Sequence, residues 1–257
     1  MEYKFDVKES TKKCVLWISN WFRDNGHGCK AVIGISGGKD SSVAAALCVT
    51  ALGKENVYGV LMPNGEQSDI KDAELLCDHL GIEYKRVNIK DAVNGVIDAM
   101  LNAGIKPSEQ TLISLPARIR MSTLYAVAEA IGGRVCNTSN LSENYIGYSI
   151  RYGDSVGDFS PLSDFTATEV KAIGRYLDLP NELIDKIPSD GLSGKTDEDN
   201  LDFTYDVLDK YIRGEEEPDL VTLVKIKDRH YKNFFKLEEM PKCHYDPCQF
   251  SFLIADV

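Results

Sequence analysis

Residues 34–42 read Gly-Ile-Ser-Gly-Gly-Lys-Asp-Ser-Ser, and they join two runs of opposite character. Before them, residues 31–35 are short, apolar and rich in β-branched side chains, the pattern of a buried strand. After them, the Ala-rich stretch 41–52 is a helix former. A strand that turns on paired glycines into a helix presents backbone N–H groups and a positive helix terminus to one point, which makes a cradle for an anion such as phosphate. The spacing is not that of a Walker loop, because Ile33 and Asp40 stand where a Gly and a Ser or Thr are required. Nor is it GxGxxG, since Ser36 replaces the second glycine. An acidic Asp40 beside a phosphate implies an intervening cation, and Mg²⁺ suits that chemistry.

Outward from this loop the pattern repeats. A helix is expected over 7–23, strands over 57–62, 84–89 and 134–138, and helices over 69–80, 92–103 and 116–131. Strands separated by helices predict an α/β fold, doubly wound, with a mainly parallel sheet and helices on both faces. Ligands then sit at the carboxyl ends of the strands, on a rim formed by 36–40, 63–67 and 138–143. Beyond residue 150 the chain turns more helical, over 168–177 and 197–213, with 214–218 an acidic solvated turn. No composition shift marks a boundary, so residues 1–257 are read as one domain.

Composition narrows the function. With 257 residues, 43% hydrophobic and 27% charged, the chain has the make-up of an ordinary globular protein. A net charge of −11 argues against a nucleic-acid partner. The apolar runs fall short of the roughly 20 residues that span a bilayer. The N-terminal residues lack an h-region and cleavage site, so no membrane association and a cytoplasmic location are expected. Seven cysteines without a CxxC read as reduced, mostly buried thiols. Cys243-His244-Tyr245-Asp246-Pro247-Cys248 lacks a spaced fourth ligand for zinc and reads as a loop. Trp17 and Trp21, one helical turn apart, face either the core or a second subunit.

The segment Ser36-Gly37-Gly38-Lys39-Asp40-Ser41 resembles the SGGxDS loop of the ATP pyrophosphatases, whose adenine nucleotide alpha-hydrolase-like fold agrees with the pattern above. Further blocks occur in the order of ammonia-dependent NAD synthetases: Arg118-Ile119-Arg120-Met121, residues 137–143, Tyr152-Gly153-Asp154, residues 158–162, 188–192 and 196–199. The resemblance spans residues 17–236. It implies amidation of deamido-NAD by ammonia through an adenylated nicotinate carboxylate, with ATP going to AMP and pyrophosphate, in a cytoplasmic homodimer. It also implies ATP contacts at Gly34, Ile35, Ser36, Gly37, Gly38, Lys39, Asp40, Ser41, Ser42, Met62, Thr138 and Ser189, and Mg²⁺ on Asp40 and Glu143. Pyridine-substrate contacts are implied at Arg118, Arg151, Asp158 and His230. Asp154 and Asp158 are carboxylates suited to attract, orient or deprotonate ammonium.

Three departures stand out against that resemblance. Arg151 occupies a place where many members carry Lys. Ala167 replaces a Lys that touches ATP, leaving Lys39, Lys171 or Lys195 to supply the charge. His230-Tyr231-Lys232 replaces a His-Lys pair. They leave open nicotinate mononucleotide as the carboxylate substrate, or a nucleotide-binding regulator without catalysis. Transfer-RNA thiolation is disfavoured by the acidic charge and the missing Cys pairs.

Overall fold

The computed structural model describes residues 3–186 and 196–243. Helix α1 (Val7–Trp21) precedes β1 (Lys30–Gly34), α2 (Lys39–Leu52), β2 (Val57–Leu61), α3 (Ile70–Leu80), β3 (Glu83–Arg86), α4 (Lys90–Asn102), α5 (Glu109–Ile131) and β4 (Gly133–Cys136). Then follow α6 (Leu141–Ile146), α7 (Ala167–Tyr176), α8 (Asn181–Ile184), α9 (Asp197–Leu201), α10 (Tyr205–Arg213) and α11 (Leu220–Asn233). The strands form a parallel sheet in the order β3-β2-β1-β4, with Gly34 beside Val60 and Ile33 beside Cys136.

Alternation along β1 explains the two layers, because successive side chains leave opposite faces of a strand. Ala31 and Ile33 pack with Ile18 of α1, Leu47 of α2, Leu76 of α3 and Ile173 of α7. Val32 turns the other way and joins Tyr58, Val60 and Val135 against Leu124 and Ala128 of α5. The expected doubly wound architecture is therefore present. The chain leaves β1 toward β2 on one side and returns to β4 on the other, so the carboxyl end of β1 is the topological switch point where such sheets open a crevice.

Several expected boundaries move for identifiable reasons. The helix expected from Pro116 starts at Glu109, because Ser108 and Thr111 form a capping box two turns earlier and Pro116 is accommodated inside the helix. The single helix expected over 197–213 is broken by Asp202, whose φ of +64° ends α9, and by Thr204, whose side chain caps α10 through the Val207 N–H. Strand β4 stops at Cys136, two residues early, which releases 137–140 onto the rim. Helix α11 occupies a stretch for which the sequence pattern predicts no element. Trp21 stacks on Phe159 at 5.0 Å, whereas Trp17 is exposed. Cys14, Cys48, Cys77 and Cys136 are buried free thiols, and residues 244–248 of the Cys-His-Cys segment lie outside the described residues. No helix among the described residues is long and apolar enough to cross a membrane.

Candidate active site

The glycine turn at the end of β1 has little freedom to change. Gly37 has φ +78°, and a Cβ there would lie 2.8 Å from the Ala73 amide nitrogen and from Asp72 Cβ. Only glycine meets both conditions. Gly38 caps α2 without any side-chain hydrogen bond to its first turn, leaving that helix terminus open to an anion. Serines hold the turn in shape. The Gly38 N–H donates to Ser36 Oγ at 3.2 Å, and Ser41 and Ser42 donate back to the Gly38 carbonyl at 3.2 and 2.8 Å.

Beside the turn sits a charge cluster. Lys39 Nζ donates to Asp40 Oδ2 at 2.6 Å, and Asn140 Nδ2 donates to Asp40 Oδ1 at 2.9 Å. Asn140 also forms a capping box with Glu143, fixing that carboxylate at the start of α6. Burial, and then the charge of Asp40, push the Glu143 carboxyl up to about 8, against the opposing pull of Lys39. Burial works against the Lys39 ammonium, but Asp40 and Glu143 outweigh it and its pKa lies above the ordinary lysine value. Two mutually repelling hard-oxygen donors beside an anion cradle fit a divalent cation such as Mg²⁺. Among the described residues no group of three or more His, Cys, Asp or Glu is arranged to hold a metal alone, so phosphate oxygens would complete the shell.

The turn opens into a cleft of about 960 Å³ lined by Gly34, Ile35, Ser36, Gly38, Lys39, Asp40, Ser41, Met62, Thr138, Glu143 and Asp154. Gly37 and Ser42 lie behind this wall, and Ser189 lies outside the described residues. Four residues singled out from the sequence stand off the cleft lining. Arg118 is exposed and donates to the Arg151 carbonyl at 3.4 Å. Arg151 lies between the rings of Tyr152 and Phe235, 5.2 and 5.5 Å away. Asp158 accepts the Val135 N–H at 2.7 Å and extends the sheet edge. His230 stacks on Tyr145 at 4.4 Å with Nδ1 2.6 Å from the Tyr145 carbonyl.

Other side chains take the cleft positions. Arg120 lines it and donates to the Met62 carbonyl at 3.0 Å. Two residues apart on a helix means nearly opposite faces, so Arg118 and Arg120 cannot both point inward, a signal present in the sequence. Lys236 lines it too, donating to the carbonyls of Gly147 and Ser149 at 2.8 and 3.1 Å, and no local pattern announced it. Burial lowers the pKa of both cations, while Asp154 acts in the opposite direction on each. Asp154 itself is raised by burial and accepts the Ile150 N–H at 2.6 Å. Ser149 Oγ is buried in this wall without a hydrogen-bond partner among the described residues. Ala167 is buried in an apolar cluster with Ile146, Leu201 and Tyr205, Lys171 does not line the cleft, and Lys195 lies outside the described residues. Lys39 and Lys186 do, the latter paired with Asp69 and Asp72 at 2.6 Å each.

The NAD synthase family model matches residues 10–242 of this chain. The chain belongs to the NAD synthase family. It is 39% identical to the NH(3)-dependent NAD(+) synthetase of Thermococcus kodakarensis over 208 residues, 80% of each chain. Among solved structures, the NMN synthetase of Francisella tularensis superposes with a TM-score of 0.86 at 32% identity, covering 94% of this chain and 100% of that one. The NH3-dependent NAD synthetase of Campylobacter jejuni superposes with a TM-score of 0.78 at 30% identity over the same shares. The chain is accordingly an enzyme, and the resemblance in its motifs extends through the fold.

Proposed function

We propose that this enzyme amidates deamido-NAD with ammonia, with ATP as co-substrate leaving as AMP and pyrophosphate. The observation that carries this reading is the open glycine turn and α2 terminus set beside Asp40 and Glu143 at the mouth of a cleft large enough for two nucleotides. A carboxylate is a poor acylating agent, and transfer of an adenylyl group to its oxygen supplies a leaving group. The backbone amides of the turn with Ser36 and Ser41 hold the phosphates that depart as pyrophosphate, so the protein contributes position and charge rather than covalent chemistry. When bound on Asp40 and Glu143, Mg²⁺ neutralises phosphate charge and polarises the α-phosphorus. Arg120 and Lys236 attract the anionic pyridine substrate at the far end. Asp154, inside the cleft, is the carboxylate placed to attract and orient ammonium, whereas Asp158 ties the sheet edge.

Exposed Leu101, Ile105, Leu112 and Ile113 around the α4–α5 connection favour a homodimer. The reduced thiols suit the cytoplasm, and the acidic charge disfavours nucleic acid as a partner. A second reading, amidation of nicotinate mononucleotide, is favoured by the superposition on an NMN synthetase. Measuring kcat/KM for both substrates with ammonium, ATP and Mg²⁺, with AMP and pyrophosphate quantified, tests the choice. A higher value for deamido-NAD is expected. A clear preference for the mononucleotide replaces it with the second reading, and ATP-dependent product from neither overturns both.

A further inference from the structure

Lys39 is an unusual occupant of the cleft. Its side chain is only 3% exposed, and it heads the helix whose open terminus faces the phosphate site. Burying an ammonium is costly unless it is paired. Here Asp40 meets it at 2.6 Å, Glu143 and Asp197 act on it through their charges, and the Tyr205 ring lies 5.6 Å away. Asp40 is thereby engaged on both oxygens, one by Lys39 and one by Asn140. A divalent ion on Asp40 meets a like charge, the Lys39 ammonium 2.6 Å from Oδ2, so the two cations compete for the one carboxylate. Asn140 is fixed by its capping box with Glu143, whereas Lys39 has a flexible four-carbon stem and three donors that fit phosphate oxygens as well as carboxylate.

We propose that Lys39 and the divalent cation are alternative occupants of Asp40. The ammonium holds the Asp40 carboxylate in the nucleotide-free protein, and passes to the phosphate oxygens when ATP and the ion enter together. Ion binding is then conditional on nucleotide, and the acidic pocket never stands without a counter-charge. Lys39 acts as a positioning residue for Asp40 before it becomes a phosphate contact. This inference rests on the assignment of the ATP site but not on which pyridine acid is amidated.

The test is a Mn²⁺ titration of the nucleotide-free full chain, followed by electron paramagnetic resonance, on wild type, K39M and K39R, with melting curves in parallel. K39M is expected to bind Mn²⁺ at least about tenfold more tightly than wild type, because a charge that repels the ion is gone. Its melting temperature should rise with Mn²⁺ alone, while wild type and K39R stay unshifted. Equal Mn²⁺ affinity in K39M and wild type overturns the proposal. So does stabilisation of wild type by Mn²⁺ alone, a result that decides the matter even if K39M does not fold. Amidation by wild type is measured separately, so a failed exchange leaves the ATP-site reading standing, and an inactive enzyme leaves the exchange standing.

Discussion

The two ends of the cleft are built on different principles. At the glycine-turn end, one continuous run from Gly34 to Ser42 supplies backbone, hydroxyls and charge, and its polar groups are bonded to one another. At the far end, Arg120, Asp154 and Lys236 come from separate elements, with burial lowering the pKa of both cations and the buried Ser149 hydroxyl without a partner among the described residues. The first end has one geometry enforced by Gly37. The second presents a looser set of cations that suits a larger and more variable substrate.

That contrast can be broken first at Asp40. D40N keeps the Asn140 side of the site in shape yet removes the charge that draws the ion, so ATP-dependent pyrophosphate release should fall by about 10³-fold. A loss under tenfold would mean the turn alone organises the triphosphate. The next largest effect separates the two acids of the 150s. D154N should lower single-turnover amidation at saturating ammonium by about 10²-fold, whereas D158N should chiefly lower the melting temperature through the lost Val135 contact. Comparable kinetic losses in both variants would contradict their placement.

At the far end, K236M should raise the KM for the pyridine substrate by about tenfold, roughly the loss of one charged hydrogen bond, with the KM for ATP unchanged. H230A should change the substrate KM by less than about twofold, since its ring serves Tyr145. Steady-state kinetics with each substrate varied in turn decide this, and a reversal of the two variants would return the substrate contact to His230.

These residues also show what the amino-acid sequence can convey. The turn was readable because its signals are local: β-branched run, paired glycines, acid, helix. The sheet was readable from the same alternation. Arg120 was within reach, because helical spacing opposes it to Arg118, but a motif written as Arg-x-Arg does not say which faces in. Lys236 was not readable, since its place depends on α11 bringing a short turn against the carbonyls of Gly147 and Ser149. Asn140 was visible only as a member of a motif, and its role as a tether of both Asp40 and Glu143 depends on side chains 100 residues apart meeting.

The smallest expected effect concerns pH. The folded protein holds the Glu143 proton up to about pH 8, whereas the unfolded chain releases it near the ordinary carboxyl value of 4.5. The associated stability is fully present below about pH 4.5 and is lost as pH rises through 8. Without ligands, the melting temperature should decline between about pH 4.5 and about pH 8 and level off above that, by ~2–4 °C for each kcal/mol lost. E143Q, which cannot ionise, should flatten that decline. An unchanged slope would mean that Glu143 is already ionised in the folded protein.

Transfer of oxygen tests the central claim most directly. Deamido-NAD labelled with ¹⁸O in its carboxylate, turned over with ammonium, ATP and Mg²⁺, should yield AMP carrying one ¹⁸O atom, since the carboxylate oxygen leaves on the adenylyl phosphorus. AMP without label, or label in orthophosphate with ADP as the nucleotide product, would contradict adenylation of the carboxylate at this site.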